Sequence, residues 1–230
     1  MSLAGKGAVA IWHDIAPEGR TEFYDWHGNE HMPERAGIPG FLRGRRYVAV
    51  EGEPEYFNLY ETMSRFTVTG TEYLARLNAP TPWTVATVKH FQRVSRSLCE
   101  VAASFGEGQG GLIATLRYDV AEASAAAHRR RLATEVLPQL AQTRGIAGCH
   151  LLVADAEASA VETTEKKVRA EKNLVPQWVV LIESWDDIDA FRVGCADLSK
   201  AAWLADAIAP PALGIYRLQN SRGPLPWSTG

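Results

Sequence analysis

The sequence predicts an α+β fold in which two βαββαβ repeats pack sheet against sheet within one chain of 230 residues. Three features occur twice: a turn between a helical and a strand-like stretch, the middle of a strand, and the end of a strand. The matched segments are Ile-Pro-Gly-Phe (38–41) with Ile-Ala-Gly-Cys (146–149), Asn-Leu-Tyr-Glu (58–61) with Val-Leu-Ile-Glu (180–183), and Arg-Val-Ser-Arg-Ser (93–97) with Arg-Leu-Gln-Asn-Ser (217–221). A repeat of roughly a hundred residues is too long for a solenoid and indicates a duplicated small domain.

The first repeat is predicted to span residues 6–105. Pro17 and Glu18 suit the first turn of a helix, because proline there loses no needed hydrogen bond and an acid meets the positive end of the helix dipole. Gly37 and the following Pro-Gly end that helix, and the valine- and tyrosine-rich segments after it are typical of strands. The predicted elements are strand 8–13, helix 17–35, strands 43–51 and 56–62, helical segments 69–77 and 84–89, and strand 91–101.

Four glycines between residues 106 and 111 mark the junction, because such a stretch has no side chains to pack. The second repeat is predicted to span residues 110–223. Its predicted elements are strand 112–118, helix 121–143, strands 150–154 and 178–184, a partly helical segment 186–209, and strand 213–219. An insertion at 155–173 breaks the symmetry. It is either a lid or a solvated loop or exposed helix, and we favour the solvated alternative; residues 165–172 within it are almost entirely charged.

Composition narrows the class of protein. Hydrophobic residues make up 46% and charged residues 22%, which is ordinary for a globular chain. The net charge of −3 gives no electrostatic basis for binding nucleic acid or an anionic membrane. No apolar run is long enough to span a bilayer, and residues 1–7 lack the apolar core of a signal peptide. Cys99, Cys149 and Cys195 form no metal-type pair and predict reduced thiols in a cytoplasmic protein.

A motif in the first repeat carries a family resemblance. It consists of Phe23-Tyr24, Trp26, His31-Met32-Pro33 and the helix-ending Pro39-Gly40-Phe41. This pattern resembles the EthD-like branch of the dimeric α+β barrel superfamily, covering the first repeat well and the second only in architecture. The resemblance implies two ferredoxin-like repeats that form an α+β barrel by tandem fusion. Members of the superfamily include metal-independent monooxygenases, lactone isomerases, polyketide cyclases and haem-binding proteins.

By this resemblance His31 corresponds to the family's helix histidine and Trp26 to its aromatic partner, while His27 departs from the family pattern. Residues three or four apart on a helix lie on one face, so Tyr24, His27 and His31 are predicted to lie close together. Histidine can act as an acid or a base because its pKa lies near neutrality. We therefore expect His31 to be catalytic, assisted by His27 and Tyr24. The alternative is a pair of surface or capping imidazoles.

His27 and His31 also have the spacing at which two imidazoles bind one metal ion. The usual helix motif has a glutamate directly after the first histidine, and here that position is Gly28, so no metal is predicted. Haem is implied by some superfamily members, but no residue stands out as an axial ligand, and no cofactor is predicted. His128 lies among arginines and looks solvated, whereas His150 is expected to be a satisfied core histidine.

Strand alternation suggests which residues bind substrate. Either Trp12 or His13 must face the cavity expected between the two sheets, and Tyr60 could line it from the third strand. Arg45 could bind a carboxylate or an enolate if its face lines the barrel. The alternative for Arg45, which we favour, is a charged strand end exposed at the rim. The predicted substrate-binding residues are Trp12, His13, Trp26, Arg45 and Tyr60.

The expected function is that of a small-molecule enzyme. It would catalyse proton transfer, cyclisation or cofactor-independent oxygenation of an aromatic or enolisable carbonyl compound. The first alternative is a non-enzymatic binding module for a hydrophobic small molecule, and the second is a structural homo-oligomer whose cavity is filled by side chains. A small-molecule ligand and a homodimer are the expected partners. Only the first repeat is expected to hold a working site, because Leu-Pro-Gln-Leu (137–140) stands at the matching place in the second.

Overall fold

Eight strands form one closed antiparallel barrel in the computed structural model, which describes residues 2–168 and 174–224. The strands are β1 (Gly7–Ile15), β2 (Phe41–Glu51), β3 (Tyr56–Thr62), β4 (Phe91–Gly106), β5 (Leu112–Tyr118), β6 (Ile146–Ala154), β7 (Trp178–Ser184) and β8 (Ala212–Arg222). Their order around the barrel is β1-β3-β2-β8-β5-β7-β6-β4. Each predicted strand is present, and those at 56–62, 112–118 and 178–184 have the predicted bounds.

The two halves of the chain have the same strand order. The first contributes β4-β1-β3-β2 and the second β8-β5-β7-β6, which is the order of a βαββαβ unit in each case. Pairing of β2 with β8 and of β4 with β6 joins the halves edge to edge. The predicted fold class, two ferredoxin-like repeats that form an α+β barrel within one chain, is confirmed. The origin by duplication and the boundaries 6–105 and 110–223 remain predictions.

Nine α-helices lie within the described residues, and the longest predicted helix is interrupted. The helices are α1 (Arg20–Trp26), α2 (Met32–Ala36), α3 (Thr71–Asn78), α4 (Pro82–Val88), α5 (Glu122–Arg131), α6 (Leu137–Leu140), α7 (Ala156–Ala160), α8 (Thr164–Val168) and α9 (Ile188–Leu198). Short 3₁₀ turns occupy Pro17–Gly19, Arg65–Val68 and Ala202–Asp206. Among these residues, no helix is long and apolar enough to cross a membrane.

A π-helical turn interrupts the main helix of each half, at His27–His31 and at Leu132–Val136. In the first, the Met32 amide donates to the carbonyl of His27, five residues back. A proline follows each turn by two residues. Proline has no amide proton and its ring clashes with the carbonyl four residues earlier, and a widened turn relieves both problems. The bend expected before Pro33 is therefore a π turn.

The interior of the barrel is filled by side chains. The buried set is Leu3, Ala8, Ala10, Trp12, Tyr47, Phe57, Leu59, Cys99, Ile113, Leu152, Val179, Leu181 and Tyr216. An eight-stranded barrel is just wide enough for side chains to fill it. The expectation of a ligand cavity between the sheets was therefore wrong.

Arg45 lies in this interior, fully buried at one end of the barrel. Its guanidinium contacts Glu61 of the first half at 2.9 Å and Glu183 of the second at 2.8 Å. Burial alone would raise the pKa of Glu183, but hydrogen bonds from His150 and Arg45 and their charges hold that pKa at about 2. Both expectations for Arg45, substrate binding and an exposed rim, were wrong, because its guanidinium pairs with one glutamate from each half.

His150 is a satisfied core histidine, as predicted, bonded to the hydroxyls of Ser2 and Ser104.

The insertion forms two short helices in its described part, residues 155–168. Its helices α7 and α8 belong to the second half but lie across the outer face of the first. The Ser159 hydroxyl accepts a hydrogen bond from the Leu98 amide at 2.9 Å, and the Thr164 amide donates to the Asn78 side chain at 3.2 Å. Half of residues 155–168 are exposed, in keeping with the exposed-helix alternative, but Ser159, Thr163 and Glu165 are buried against the first half. The remainder of the charged run, 169–173, lies outside the described residues.

Candidate active site

The candidate site lies between the helices and the outer face of the first-half sheet. Along β1, Trp12 points into the barrel, where it stacks on Phe57, so His13 points outward. There His13 stacks on Phe91 at 4.2 Å, beneath the turn that carries the helix histidines. The choice left open by the sequence, Trp12 or His13, is settled by this alternation, and Trp12 is not in the site.

A small cavity of about 20 Å³ lies in this layer. Its lining residues are Ile11, Trp26, His27, His31, Asn58, Tyr60, Val88, Phe91 and Glu165. Such a volume is enough for about one water molecule. The walls are mainly aliphatic and aromatic, with two imidazoles, an amide, a phenol and a carboxylate as the polar groups. This matches the expectation of an apolar pocket with a few polar groups beside His31.

His27 is buried and held as a neutral imidazole. Burial is the main cause that lowers its pKa well below the usual value, and the charges of His31 and Arg46 lower it further. Arg46 lies 3.3 Å from the Nδ1 atom, and the Tyr60 hydroxyl lies 3.2 Å from Nε2. Because a guanidinium can only donate, Nδ1 must accept, so Nε2 carries the proton and donates to Tyr60. The proton of Tyr60 itself is then free to point elsewhere.

The same reasoning fixes the orientation of Asn58. His13 Nδ1 lies 3.3 Å from the carbonyl oxygen of Asp14, which can only accept, so Nδ1 carries the proton. His13 Nε2 must then accept the hydrogen bond from the Asn58 amide nitrogen at 2.8 Å. This leaves the buried Oδ1 of Asn58 with no hydrogen-bond partner among the described residues. A buried acceptor without a partner is costly, and this one belongs to the cavity wall.

His31 lies against Trp26, with ring centroids 4.3 Å apart, and 5.5 Å from the ring of His27. Trp26 is held by hydrogen bonds from its indole nitrogen to Glu30 at 3.2 Å and Thr84 at 3.1 Å. The indole is therefore a fixed wall against which His31 packs. This arrangement agrees with the predicted pairing of His31 with Trp26 and makes His31 part of the cavity lining.

Tyr24 lies apart from the cavity. Its hydroxyl accepts hydrogen bonds from Tyr56 at 3.1 Å and Gln219 at 3.3 Å, and its ring lies 4.8 Å from the Arg46 guanidinium. Arg46 was missed by the sequence reasoning, although alternation along β2 places it opposite Arg45 and so on the helix side. Of the predicted site residues, the structure brings together at the cavity His27, His31, Trp26 and Tyr60. His13 does not line the cavity itself but bonds Asn58, which does. The other three, Trp12, Arg45 and Tyr24, lie elsewhere.

The second half has no imidazoles at the equivalent turn. The two π turns match, so Leu132 corresponds to His27 and Val136 to His31, whereas the predicted segment 137–140 matches the residues directly after His31. His128 is buried and bonds Tyr118 at 2.9 Å and Asp206 at 3.1 Å, so its assignment to a solvated face was wrong. Each of its ring nitrogens has a protein partner, which is typical of a structural network.

Metal and haem fit this site poorly. Within residues 2–168 and 174–224, no group of three or more His, Cys, Asp or Glu side chains is arranged to hold a metal ion. Both ring nitrogens of His27 are engaged, Nδ1 by Arg46 and Nε2 by Tyr60, so this imidazole has no free nitrogen for a haem iron. The expectation that no metal and no cofactor take part stays a prediction.

Comparison with solved structures places the fold. An anthrone oxidase-like protein superposes with a TM-score of 0.63 at 14% identity, over 97% of this chain and 95% of that chain. A proposed monooxygenase of Fusobacterium nucleatum gives 0.56 at 9% identity, over 97% and 98%. Another, from Lactobacillus acidophilus, gives 0.55 at 10% identity, over 95% and 96%. No protein-family model matches the sequence, and the curated proteins give no match.

These likenesses extend over nearly the whole of each chain, and identities of 9–14% establish the fold alone. The protein has the fold of the dimeric α+β barrels, with both halves of the barrel in one chain. The first half carries a small cavity at a turn where the second half has leucine and valine.

Proposed function

We propose that this protein is an enzyme of the EthD-like branch that moves a proton on an aromatic or enolisable carbonyl compound. The observation that carries the proposal is a chain of donors that begins at a cation and ends at the cavity. Arg46 donates to His27, and neutral His27 donates to Tyr60. Burial raises the pKa of Tyr60, so its hydroxyl keeps its proton and can donate to a ligand oxygen.

Such a chain suits the formation of an enolate. His31 would take a proton from the carbon next to a carbonyl group, which leaves an imidazolium and an enolate. The Tyr60 hydroxyl would donate to the oxygen on which the negative charge develops, and donors fixed in advance stabilise such charge most effectively. Asn58 Oδ1 would accept a hydrogen bond from a ligand hydroxyl. Cyclisation, or reaction of the enolate with dioxygen, are alternative fates of the same intermediate.

The test uses anthrone, a ring ketone with acidic CH₂ protons, suggested as a probe by the name of one structural neighbour. Hydrogen–deuterium exchange at its CH₂ group, followed by NMR, measures proton transfer without requiring oxidation. We expect His31→Ala to slow the enzyme-catalysed exchange by about 10²–10⁴-fold. His90→Gln, at a half-buried histidine outside the cavity, is the matched control and should leave the rate unchanged. Equal rates for wild type and His31→Ala would refute the proposal.

The second candidate function is a non-enzymatic module that binds a hydrophobic small molecule. Its support is the apolar part of the cavity wall, where Ile11, Val88 and Phe91 lie beside the imidazoles. In that case anthrone should bind without catalysed exchange, and His31→Ala should change affinity only. A cytoplasmic location and a homodimer are also proposed, and sedimentation of the purified chain tests the dimer.

A further inference from the structure

One wall of the cavity in the first half is supplied by the second half. Helix α8 packs against α3 and α4, and the wall residue that it provides is Glu165. Ala158 of α7 packs into the core between α3 and the sheet, and Val168 packs against the core around Phe23. The site is thus incomplete without a segment that the first half does not contain.

Glu165 differs from the charged residues around it. Lys166 is half-buried and Lys167 is exposed, whereas Glu165 is only 5% exposed. Its carboxylate accepts a hydrogen bond from the buried guanidinium of Arg35 at 2.8 Å, and Arg35 also contacts Glu34 at 3.0 Å. Burial of an ionised carboxylate is unfavourable unless it is paired. This pair therefore fixes where α8 sits.

The cavity is too small for its proposed ligand as it stands. It measures about 20 Å³, whereas an engineered cavity that binds benzene measures about 150 Å³. Hydrogen-bonded strands form one wall, and the continuous α1–π–α2 segment forms another. Helices α7 and α8 have five residues each, far below the length at which an isolated helix is stable. The insertion is the wall that can move at least cost.

We infer that the segment 156–168 is a lid for the cavity of the first half, and that Glu165 is the residue that positions it by binding Arg35. Opening of the lid breaks this ion pair and exposes His31. Glu34 remains on Arg35 and lowers the cost of opening, because the guanidinium keeps one partner. The ligand follows from the proposed function, but the opening itself can be measured without any ligand.

The first experiment locks the lid. The Thr164 amide donates to the Asn78 side chain, so Asn78→Cys with Thr164→Cys places two thiols across the lid contact, and disulfide formation is verified by mass spectrometry; the native cysteines are buried. Diethyl pyrocarbonate labelling, read for each histidine by mass spectrometry, reports access to His31. Oxidation should slow labelling of His31 by about tenfold, and reduction should restore it, because labelling requires local opening. Equal His31 labelling in the verified disulfide and its reduced form would overturn the lid. The single-cysteine variants are the controls.

The second experiment needs no disulfide. Glu165→Ala should speed labelling of His31 by about tenfold, with no change at His128, which is buried in the second half. General destabilisation would speed both, so the ratio separates a positioning role from a structural one. Glu165→Gln keeps a hydrogen-bond acceptor and should restore slow labelling in part. The matched control is Glu162→Ala, which removes an exposed glutamate that pairs with Lys166 in the same segment.

An unchanged ratio of His31 to His128 labelling in Glu165→Ala would overturn the role of Glu165. If the labelling responds as expected but wild-type protein fails to exchange anthrone, the lid stands and the proposed function falls. The two failures are therefore distinguishable.

Discussion

At the scale of one residue, burial and a neighbouring cation together select the protonation state and the tautomer of His27. Burial and the nearby charges disfavour its imidazolium, so its pKa is lowered. Arg46 then decides which nitrogen carries the proton, because it can only donate. An imidazole at this position is consequently a fixed donor to Tyr60. In the proposed reaction the base is therefore another group, and His31 is the neighbouring imidazole on the cavity.

Glu183 gives a pH-dependence prediction at the same scale. Its pKa in the folded protein is about 2, below the ordinary 4.5, so its contribution to stability is present above pH 4.5 and is lost as pH falls towards 2. The shift corresponds to about 3 kcal/mol. We expect the urea midpoint of the wild type to fall over this range, and Glu183→Gln to remove that part of the fall. Glu107→Gln, at an exposed site, should behave as wild type. An identical pH profile in Glu183→Gln would contradict the assignment.

At the scale of the element, the π turn sets the direction of His31. A π turn adds one residue within the helix and so rotates everything that follows it relative to a regular α-helix. A regular 3.6-residue period predicts Tyr24, His27 and His31 on one face, whereas the π turn, which follows Tyr24, changes the position of His31 relative to both. In the structure Tyr24 lies with Arg46 and Tyr56, apart from the cavity.

The two halves offer a matched pair of variants for this element. Pro33→Ala restores an amide proton and removes the ring clash, so we expect the turn at His27–His31 to relax towards α-helix and move His31 from the cavity. A displaced catalytic group costs about a hundredfold in rate, measurable as anthrone exchange. Pro138→Ala makes the same change at Leu132–Val136 and should leave exchange unaffected. Loss of exchange in both variants would point to general instability.

Across the whole molecule, the halves are joined by two strand pairings and by the buried Arg45. The Arg45 guanidinium holds a glutamate from each half, and these two glutamates occupy matching positions in β3 and β7. Removing one partner of a buried ion pair leaves an uncompensated charge. Separating the two halves would therefore break both strand pairings and leave buried charges unpaired, at a large cost in free energy.

We predict from this arrangement that the protein unfolds as one cooperative unit, although its length would allow two small domains. Urea transitions followed by far-ultraviolet circular dichroism and by tryptophan fluorescence should coincide. Tryptophans occur in both halves, with Trp12 and Trp26 in the first and Trp178 and Trp203 in the second, so fluorescence samples both. Two separated transitions would show that the halves fold independently.

The strands and the architecture followed from sequence alone because they depend on local periodicity and on turn residues. Residues 56–62 are rich in aromatic side chains and residues 178–184 are almost continuously apolar, and both patterns are typical of a strand. The sequence also showed the repeat, but it paired Gly40 with Gly148, three residues too far along the chain. The structure matches Gly40 with Gly145, because both have positive φ. Short apolar motifs recur by chance, whereas a left-handed glycine is set by the backbone of the turn.

The sequence by itself determined the α+β class, the strands and the histidine pair, because each depends on residues close together in the chain. Tertiary structure decided which face of each strand meets which layer, and so placed Trp12 and Arg45 in the barrel and His13 beside the cavity. It also decided the fate of the insertion, where Glu165 is buried by Arg35, a partner 130 residues away. A charged residue is ordinarily solvated, and only a long-range partner reverses that preference.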